Sequence, residues 1–418
     1  MSSPRLALLL LLLLLTACGG ADAASSVDDK SPTNPTGGAD GGGDGASSKP
    51  ATRIELGCKG AVTPRHGTFD EDRGTPVAAF PHGDEDWVFF SGCMLVRVDP
   101  NSGKSLGESR VCRNLESFTV TRGDDGFWLA GARDLARPDP SKPAQALDLV
   151  HVGNDGRAEP PVEVLTAVSV RVDSVAAGAR TLAIVAVVER VLPSRNVYFV
   201  SKSGLATLER NTAPYATGAP QDFAFVDKVR VVEGDVFVGF TAAGNELRFD
   251  GTADFTTSAA PFAKNPESTC ISQSSPFKTR TAFLEDDDAF VALTMATSSC
   301  HLFGPASAPD GSRYGLTVRR ASKNGEIEEL AALTKNGEDL RWLNLCTGSR
   351  TEASLLHHGQ QGGTTLARHR YDGAPVPPYT FAENKTMSCP VAFRGGYLVA
   401  SVDYAGKEPA RTTWLACE

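Results

Sequence analysis

The sequence predicts an all-β body built from one repeated unit, and three observations carry that expectation. Short apolar runs recur directly behind an acidic or glycine turn, hairpin signals recur behind those runs, and no stretch shows the clear 3.6-residue apolar period of an amphipathic helix. The marked runs are "DEDWVFF" at 84–90, "DDGFWLA" at 124–130, "EGDVFVGF" at 233–240, "DDDAFVAL" at 286–293 and "RGGYLVA" at 394–400. Two weaker members, "GARTLAIV" at 178–185 and "RTEASLL" at 350–356, bring the set to seven. The hairpin signals are "VDPNSGK", "VGNDGR", "SKSG", "FDG", "SKNGE" and "YDG". Asn and Asp tolerate positive φ in such turns and Gly adopts it without a Cβ penalty, so the chain can reverse with the twist that strands require.

Spacing turns these elements into an architecture. The turn glycines Gly103, Gly156, Gly204, Gly251, Gly325 and Gly373 stand 53, 48, 47, 74 and 48 residues apart. A period near 50 with several short strands per unit is what a β-propeller blade needs: four strands of about five residues plus turns. Dividing residues 53–418 by that period predicts seven blades. The interval of 74 holds Cys270 and Cys300 and reads as an insertion. Tandem β-sandwiches are the alternative, since they also carry many short strands with frequent turns; one long period across the whole body favours the propeller. The turn "RVDPNSGKSLGESRV" at 97–111 resembles the blade turns of quinoprotein-type and related propellers. That resemblance spans one turn per unit without a signature tryptophan pattern, and it implies an architecture and no cofactor.

The first residues belong to a different class of signal. "MSSPRLALLLLLLLLTAC" has a basic Arg5 followed by ten apolar residues, Leu6 to Leu15, a secretory h-region too short to span a bilayer. Leu15-Thr16-Ala17-Cys18 resembles the bacterial lipobox. The resemblance implies cleavage before Cys18 and acylation of that cysteine, so 1–17 is the expected lipoprotein signal peptide. More than one acyl chain, at about 0.8 kcal/mol per buried methylene, makes stable anchoring. Gly19 stands where an inner-membrane retention signal would place Asp, which favours the outer membrane. Residues 18–52 are then the acylated cysteine and a tether of Gly, Ser, Ala, Asp and Pro. Such composition cannot offset its ordering entropy, so the expectation is disorder with a reach on the order of 30 Å.

The body is 53–418. The whole chain carries a formal net charge of −9, which offers no field to attract nucleic acid or an anionic headgroup surface. The apolar run Leu182 to Val188 stops at Glu189 and Arg190 and reads as a buried strand. Without Cys18, eight cysteines are left: Cys58, Cys93, Cys112, Cys270, Cys300, Cys346, Cys389 and Cys417. An even number in an exported chain points to disulfides, and none has the C-x-x-C spacing of a redox or zinc site. Both ends of the body offer a β-prone run closing in a cysteine, "RIELGC" and "TTWLAC". Ile54 to Leu56 are therefore expected in or beside the blade that holds Thr412 to Ala416, with Cys58 against Cys417. The alternative pairs Cys58 with Cys93 or Cys112 inside the first unit.

Chemistry-bearing motifs are few. Asp124-Asp125 has the look of a carboxylate pair, but Asp84-Glu85-Asp86, Glu233-Gly234-Asp235 and Asp286-Asp287-Asp288 occupy the same place in other units. Catalysis needs one constellation rather than four, so these residues read as turns. Calcium is the competing reading, without a D-x-[DN]-x-[DN]-G loop to support it. "TRGDDGFW" departs from the sialidase Asp box in the placement of its aromatic, and Arg122-Gly123-Asp124 is a tripeptide expected often by chance. Of His357 and His358, only one can share a sheet face with His369. No nucleophile elbow, H-E-x-x-H or P-loop occurs. These readings assign no catalytic residue, metal or cofactor. They describe a lipid-anchored, non-enzymatic binding or assembly platform with a protein or glycan ligand in the cell envelope. The alternative is a glycan-active hydrolase or lyase with its site at the propeller funnel.

Cys270 and Cys300 bracket two apolar runs able to form a hairpin, so they are expected to pair with each other. Closing a loop of about 30 residues contributes roughly 3–4 kcal/mol in the chain-entropy model. Non-reducing peptide mapping should recover the two as one cross-linked species; either cysteine linked elsewhere contradicts the pairing.

Overall fold

In the computed structural model, described residues are 56–65, 69, 73–136, 143–189, 193–203, 207–211, 226–241, 246–250, 255–257, 277–282, 289–297, 314–322, 327–332, 343–349, 352–358, 363–370, 374–381, 386–402 and 411–418. Residues 1–55, with the expected signal peptide, tether and Cys18, lie outside them, as do Cys270 and Cys300. Strand β1 (Val62–Arg65) comes first. The next four, β2 (Pro76–His82), β3 (Glu85–Phe90), β4 (Met94–Val98) and β5 (Ser105–Arg110), pair in sequence order as one antiparallel sheet. β6 (Leu115–Gly123), β7 (Gly126–Asp134), β8 (Gln145–Gly153) and β9 (Val162–Ala167) repeat the pattern. So do β10 (Ser169–Ala177), β11 (Thr181–Glu189), β12 (Pro193–Ser201) and β13 (Thr207–Asn211).

The fourth sheet is β14 (Val226–Glu233), β15 (Val236–Thr241), β16 (Glu246–Asp250) and β17 (Phe255–Thr257). The fifth is β18 (Phe277–Ala282), β19 (Ala289–Thr297), β20 (Tyr314–Ser322) and β21 (Ile327–Ala332). The sixth is β22 (Leu343–Ser349), β23 (Glu352–His358), β24 (Thr364–Arg370) and β25 (Tyr379–Thr380). The long interval between Gly251 and Gly325 therefore holds the last strand of the fourth sheet and the first three strands of the fifth, and its extra length falls in 258–276 and 298–313, outside the described residues.

The last sheet departs from the pattern. β26 (Thr386–Met387) and β27 (Val391–Phe393) both pair with β28 (Gly396–Val402), β28 pairs with β29 (Arg411–Cys417), and β29 pairs with β1. The inner strand breaks at Ser388 to Pro390, where Pro390 has no N–H to give. There Ser388 Oγ accepts from Ala400 N at 2.9 Å and Ser388 N donates to Ala400 O at 2.7 Å. The outer strand comes from the other end of the chain, in register Val62 with Cys417 and Arg65 with Trp414. Pro64 fits only such an outer strand.

Each marked apolar run is the strand next to the inner one of its sheet, and packing explains why these strands are apolar on both faces. Along β3, Trp87 and Phe89 join Phe127, Leu129 and Val150 of the second sheet in one core. The alternate residues Val88 and Phe90 join Leu398 and Trp414 of the last sheet. Along β11, Leu182 and Ile184 pack with Trp128 and Ala130, whereas Ala183 and Val185 pack with Phe237. Period-2 alternation thus sends successive side chains to two different neighbouring sheets. Each large side chain buried in this way contributes about 1.5–3 kcal/mol. β14 also contacts β18, and β18 contacts β22.

Three disulfides are present among the described residues. Cys93 pairs with Cys112, and Cys346 on β22 pairs with Cys389 in the break of the last sheet. Cys58 pairs with Cys417, Cα to Cα 5.2 Å, across 359 residues of sequence. Of the expected Ile54 to Leu56, Ile54 and Glu55 lie outside the described residues, and next to Leu56 Gly57 N donates to Phe393 O of the last sheet at 2.9 Å. The ladder partner of β29 is Val62–Arg65, beyond the cysteine, because the bridge fixes Cys58 beside the end of β29 and an antiparallel partner has to run back from there.

Joining chain ends so far apart constrains the unfolded chain more than any other pairing here. Replacing both Cys58 and Cys417 by Ser should lower unfolding stability by about 6 kcal/mol in the chain-entropy model. Denaturant midpoints of oxidised wild type and double variant test this, and a difference below about 1 kcal/mol contradicts it.

Candidate functional site

The acidic turns at 84–86, 124–125 and 233–235 lie at the junction of the first and second strands of their sheets, and each hands its last aspartate a specific partner. Asp86 has a fully buried carboxylate. It accepts from Arg394 N at 2.7 Å and Arg394 Nε at 2.6 Å, while Arg394 Nη1 donates to Gly83 O at 3.1 Å. Arg394 belongs to the turn between β27 and β28, so this contact joins the last sheet to the first. Asp235 does the same between the third and fourth sheets. Its Oδ1 accepts from Arg180 N and Thr181 N, both at 2.8 Å, and Oδ2 accepts from Arg180 Nε at 3.3 Å. Ala179 N adds a bond to Gly234 O at 2.9 Å. A Cβ on Gly178 would stand 2.6 Å from Asp235 Oδ1, so the approach requires glycine.

The two carboxylates titrate in opposite directions. Burial dominates at Asp86 and holds its pKa above the ordinary value despite the Arg394 bonds. At Asp235 burial also pushes upward, but the bonds from Arg180 and Thr181 outweigh it, and the net pKa is lowered.

Asp124 and Asp125 divide their roles. They form the two-residue tip between β6 and β7, with Gly123 opposite Gly126. Asp124 is exposed. Asp125 accepts from Trp128 Nε1 and from Lys202 Nζ, each at 3.2 Å, and Lys202 belongs to the third sheet's turn. His151 stacks on Trp128 with ring centroids 4.5 Å apart, and its Nδ1 lies 3.0 Å from Glu159 Oε1. Burial raises the Asp125 carboxyl, the indole and ammonium bonds together outweigh that, and the net shift is downward. Arg122 is turned back on the first sheet, donating to Pro81 O at 2.7 Å. Asp286 to Asp288 lie outside the described residues.

The most perturbed titratable groups sit where the chain end meets the sixth and last sheets. Glu352 and Arg368 form an ion pair at 3.7 Å with side chains only 2% and 1% exposed. Tyr397 Oη donates to Glu352 Oε1, and Cys58 N donates to Tyr397 Oη at 3.1 Å. Arg368 Nη1 donates to Cys58 O at 2.9 Å and Nη2 donates to Gly60 O. Burial, with Glu352 beside it, pushes the Tyr397 hydroxyl far up; burial also raises Glu352. No substrate reaches groups this enclosed, so the cluster joins parts of the chain. Sequence reasoning found neither this cluster nor the arginine partners of Asp235 and Asp86, although Arg180 and Arg394 stand at the heads of two of the seven runs.

Among the described residues no group of three His, Cys, Asp or Glu is arranged to hold a metal ion. The ladder sets His357 opposite Thr365 and His369 opposite Ala353. Their backbones are therefore four positions apart, about 13 Å at the usual rise.

No protein-family model matches the chain, and no curated protein matches its sequence. Among solved structures, hydrazine synthase from Kuenenia stuttgartiensis is similar at a TM-score of 0.43 and 12% identity, covering 83% of this chain and 97% of that one. The Pan2 WD40 domain of Neurospora crassa is similar at a TM-score of 0.40 and 11% identity, covering 87% and 96%. The described residues are all-β, and six of their seven sheets are antiparallel sheets of four consecutive strands.

Replacing Asp235 by Asn keeps the side chain's shape but removes the charge that its two N–H donors and guanidinium bond. The cost near neutral pH should be about 1.5–3 kcal/mol. Because the native pKa lies below the unfolded one, the carboxylate's contribution is present above about pH 4 and fades as pH falls through the native pKa. Urea midpoints of wild type and variant should differ at pH 7 and converge towards pH 3; an equal gap at both pH values contradicts this account.

Proposed function

We propose that the protein is a lipid-anchored scaffold of the cell envelope, a seven-bladed propeller closed by its own chain ends, that presents a binding surface and catalyses nothing. Support for a closed ring comes from the core shared by Val88, Phe90, Leu398 and Trp414, the Asp86–Arg394 contact and the β1–β29 ladder. The carrying observation for the platform reading concerns the ionisable groups. Asp86, Asp235, Glu352 and Tyr397, all with shifted pKa values, are spent on joining one sheet to another. An active site would instead leave such groups converging on an open cleft.

Anchoring rests on Leu15-Thr16-Ala17-Cys18. After cleavage the acylated Cys18 holds the body through the tether of residues 18–52, with the outer membrane favoured over the inner. The ligand belongs to the envelope, as a protein or a glycan, and the acidic body is unsuited to nucleic acid.

Metabolic labelling with a palmitate analogue, followed by fractionation, tests the anchor. Wild type should carry the label and stay with membranes after a high-salt wash. Cys18→Ser should lose the label and leave the precursor uncut or the protein released. A variant that is still labelled and membrane-bound overturns the reading. Incubation of purified protein with envelope polysaccharide should release no new reducing or unsaturated ends; their appearance would favour the hydrolase or lyase instead.

A further inference from the structure

We propose that residues 57–60 form a mechanical clamp, which passes tension on the N-terminal segment directly into β29 and leaves β1 outside the load path. The proposal rests on the anchored reading only for the source of the load. Four attachments meet in this short stretch. Gly57 N donates to Phe393 O at 2.9 Å, and Cys58 N donates to Tyr397 Oη at 3.1 Å. Arg368, itself buried, donates to Cys58 O and to Gly60 O. The Cys58–Cys417 bridge adds a covalent link.

The order of these attachments along the chain carries the argument. All precede β1, so a pull from the N-terminus arrives at the clamp first. β1 alone is a poor anchor: it is four residues long, outermost in its sheet, and exposed at Thr63, Pro64 and Arg65. Its bonds to β29 would open one after another under a pull from its start. β29 is held on both sides, by β1 and by β28. Load entering through Cys417 is therefore shared across the sheet, and the tie it crosses is a covalent bond. Gly57 marks how tightly the stretch is seated. Its φ is +80°, and a Cβ there would stand 2.3 Å from Tyr397 Oη.

Forced extension of single molecules tests the clamp. Full-length Cys18→Ser protein is held at its N-terminus and at a handle on the exposed turn at Asp155, which makes the readout independent of acylation. Wild type should show no rupture before the body itself yields. Cys58→Ser/Cys417→Ser should show an early step at lower force, as β1 peels away and the chain from Cys58 to Arg73 extends by roughly 50 Å. In oxidised protein, Arg368→Gln should leave the trace unchanged, since the bridge carries the load. Should the double variant fail to fold, wild type before and after a dithiol reductant gives the same comparison. An early step in oxidised wild type, or a first rupture at the same force with and without the bridge, overturns the clamp. Neither result bears on whether Cys18 is acylated.

Discussion

The antiparallel pairing of β1 with β29 is the interaction on which the rest of the body depends. Six of the sheets are made from four consecutive strands, so their pairings are local in sequence and little loop entropy opposes them. The last sheet needs its outer strand from more than 340 residues away in the chain. Without β1 its edge at β29 would present unpaired backbone groups to any passing strand. The disulfide, the Arg368 bonds to Cys58 and Gly60, and the Tyr397 hydroxyl all gather at this one junction. That concentration of attachments follows from the entropy of holding two distant chain ends together.

A second constraint comes from stacking sheet against sheet. The strand next to the inner one has a neighbour on each side, so both its faces must be apolar, and polar matching is displaced to the turns at its start. There the seven runs divide by the charge of their head. Those at 84–90, 124–130, 233–240 and 286–293 are headed by acid, and those at 178–185, 350–356 and 394–400 by arginine. Where an arginine-headed sheet precedes an acid-headed one, the pair forms: Arg180 with Asp235, Arg394 with Asp86. The second sheet follows another acid-headed one, and Asp125 turns to Lys202 of the third sheet instead.

Much of this was legible in the chain. The runs and the hairpin glycines locate the strands because period-2 apolarity and positive-φ turns are local properties. The glycines fall between the third and fourth strands of six sheets. The missing seventh has a physical cause: in the last sheet the fourth strand is β1, and no hairpin leads to it. Other features are not local and stayed hidden. Glu352, Arg368 and Tyr397 are ordinary residues in their own strands and become a cluster only when the sixth and last sheets meet. Reading the acidic turns as punctuation was sound for Asp124 but incomplete for Asp86, Asp125 and Asp235, whose partners lie in neighbouring sheets. That Val62 to Arg65 pair with β29 also stayed hidden, because a four-residue stretch containing Pro64 gives no local strand signal.

The functional account and the architecture share one premise, that the chain ends meet. The Cys58–Cys417 bridge and the bonds from Arg368 and Tyr397 hold residues 58–60 to the sixth and last sheets. Non-reducing peptide mapping of the oxidised protein tests that premise most directly. The account predicts a single cross-linked species joining the peptide that contains Cys58 to the C-terminal peptide that contains Cys417. Recovery of Cys58 bound to Cys93 or Cys112, or of Cys417 as a free thiol, would contradict it.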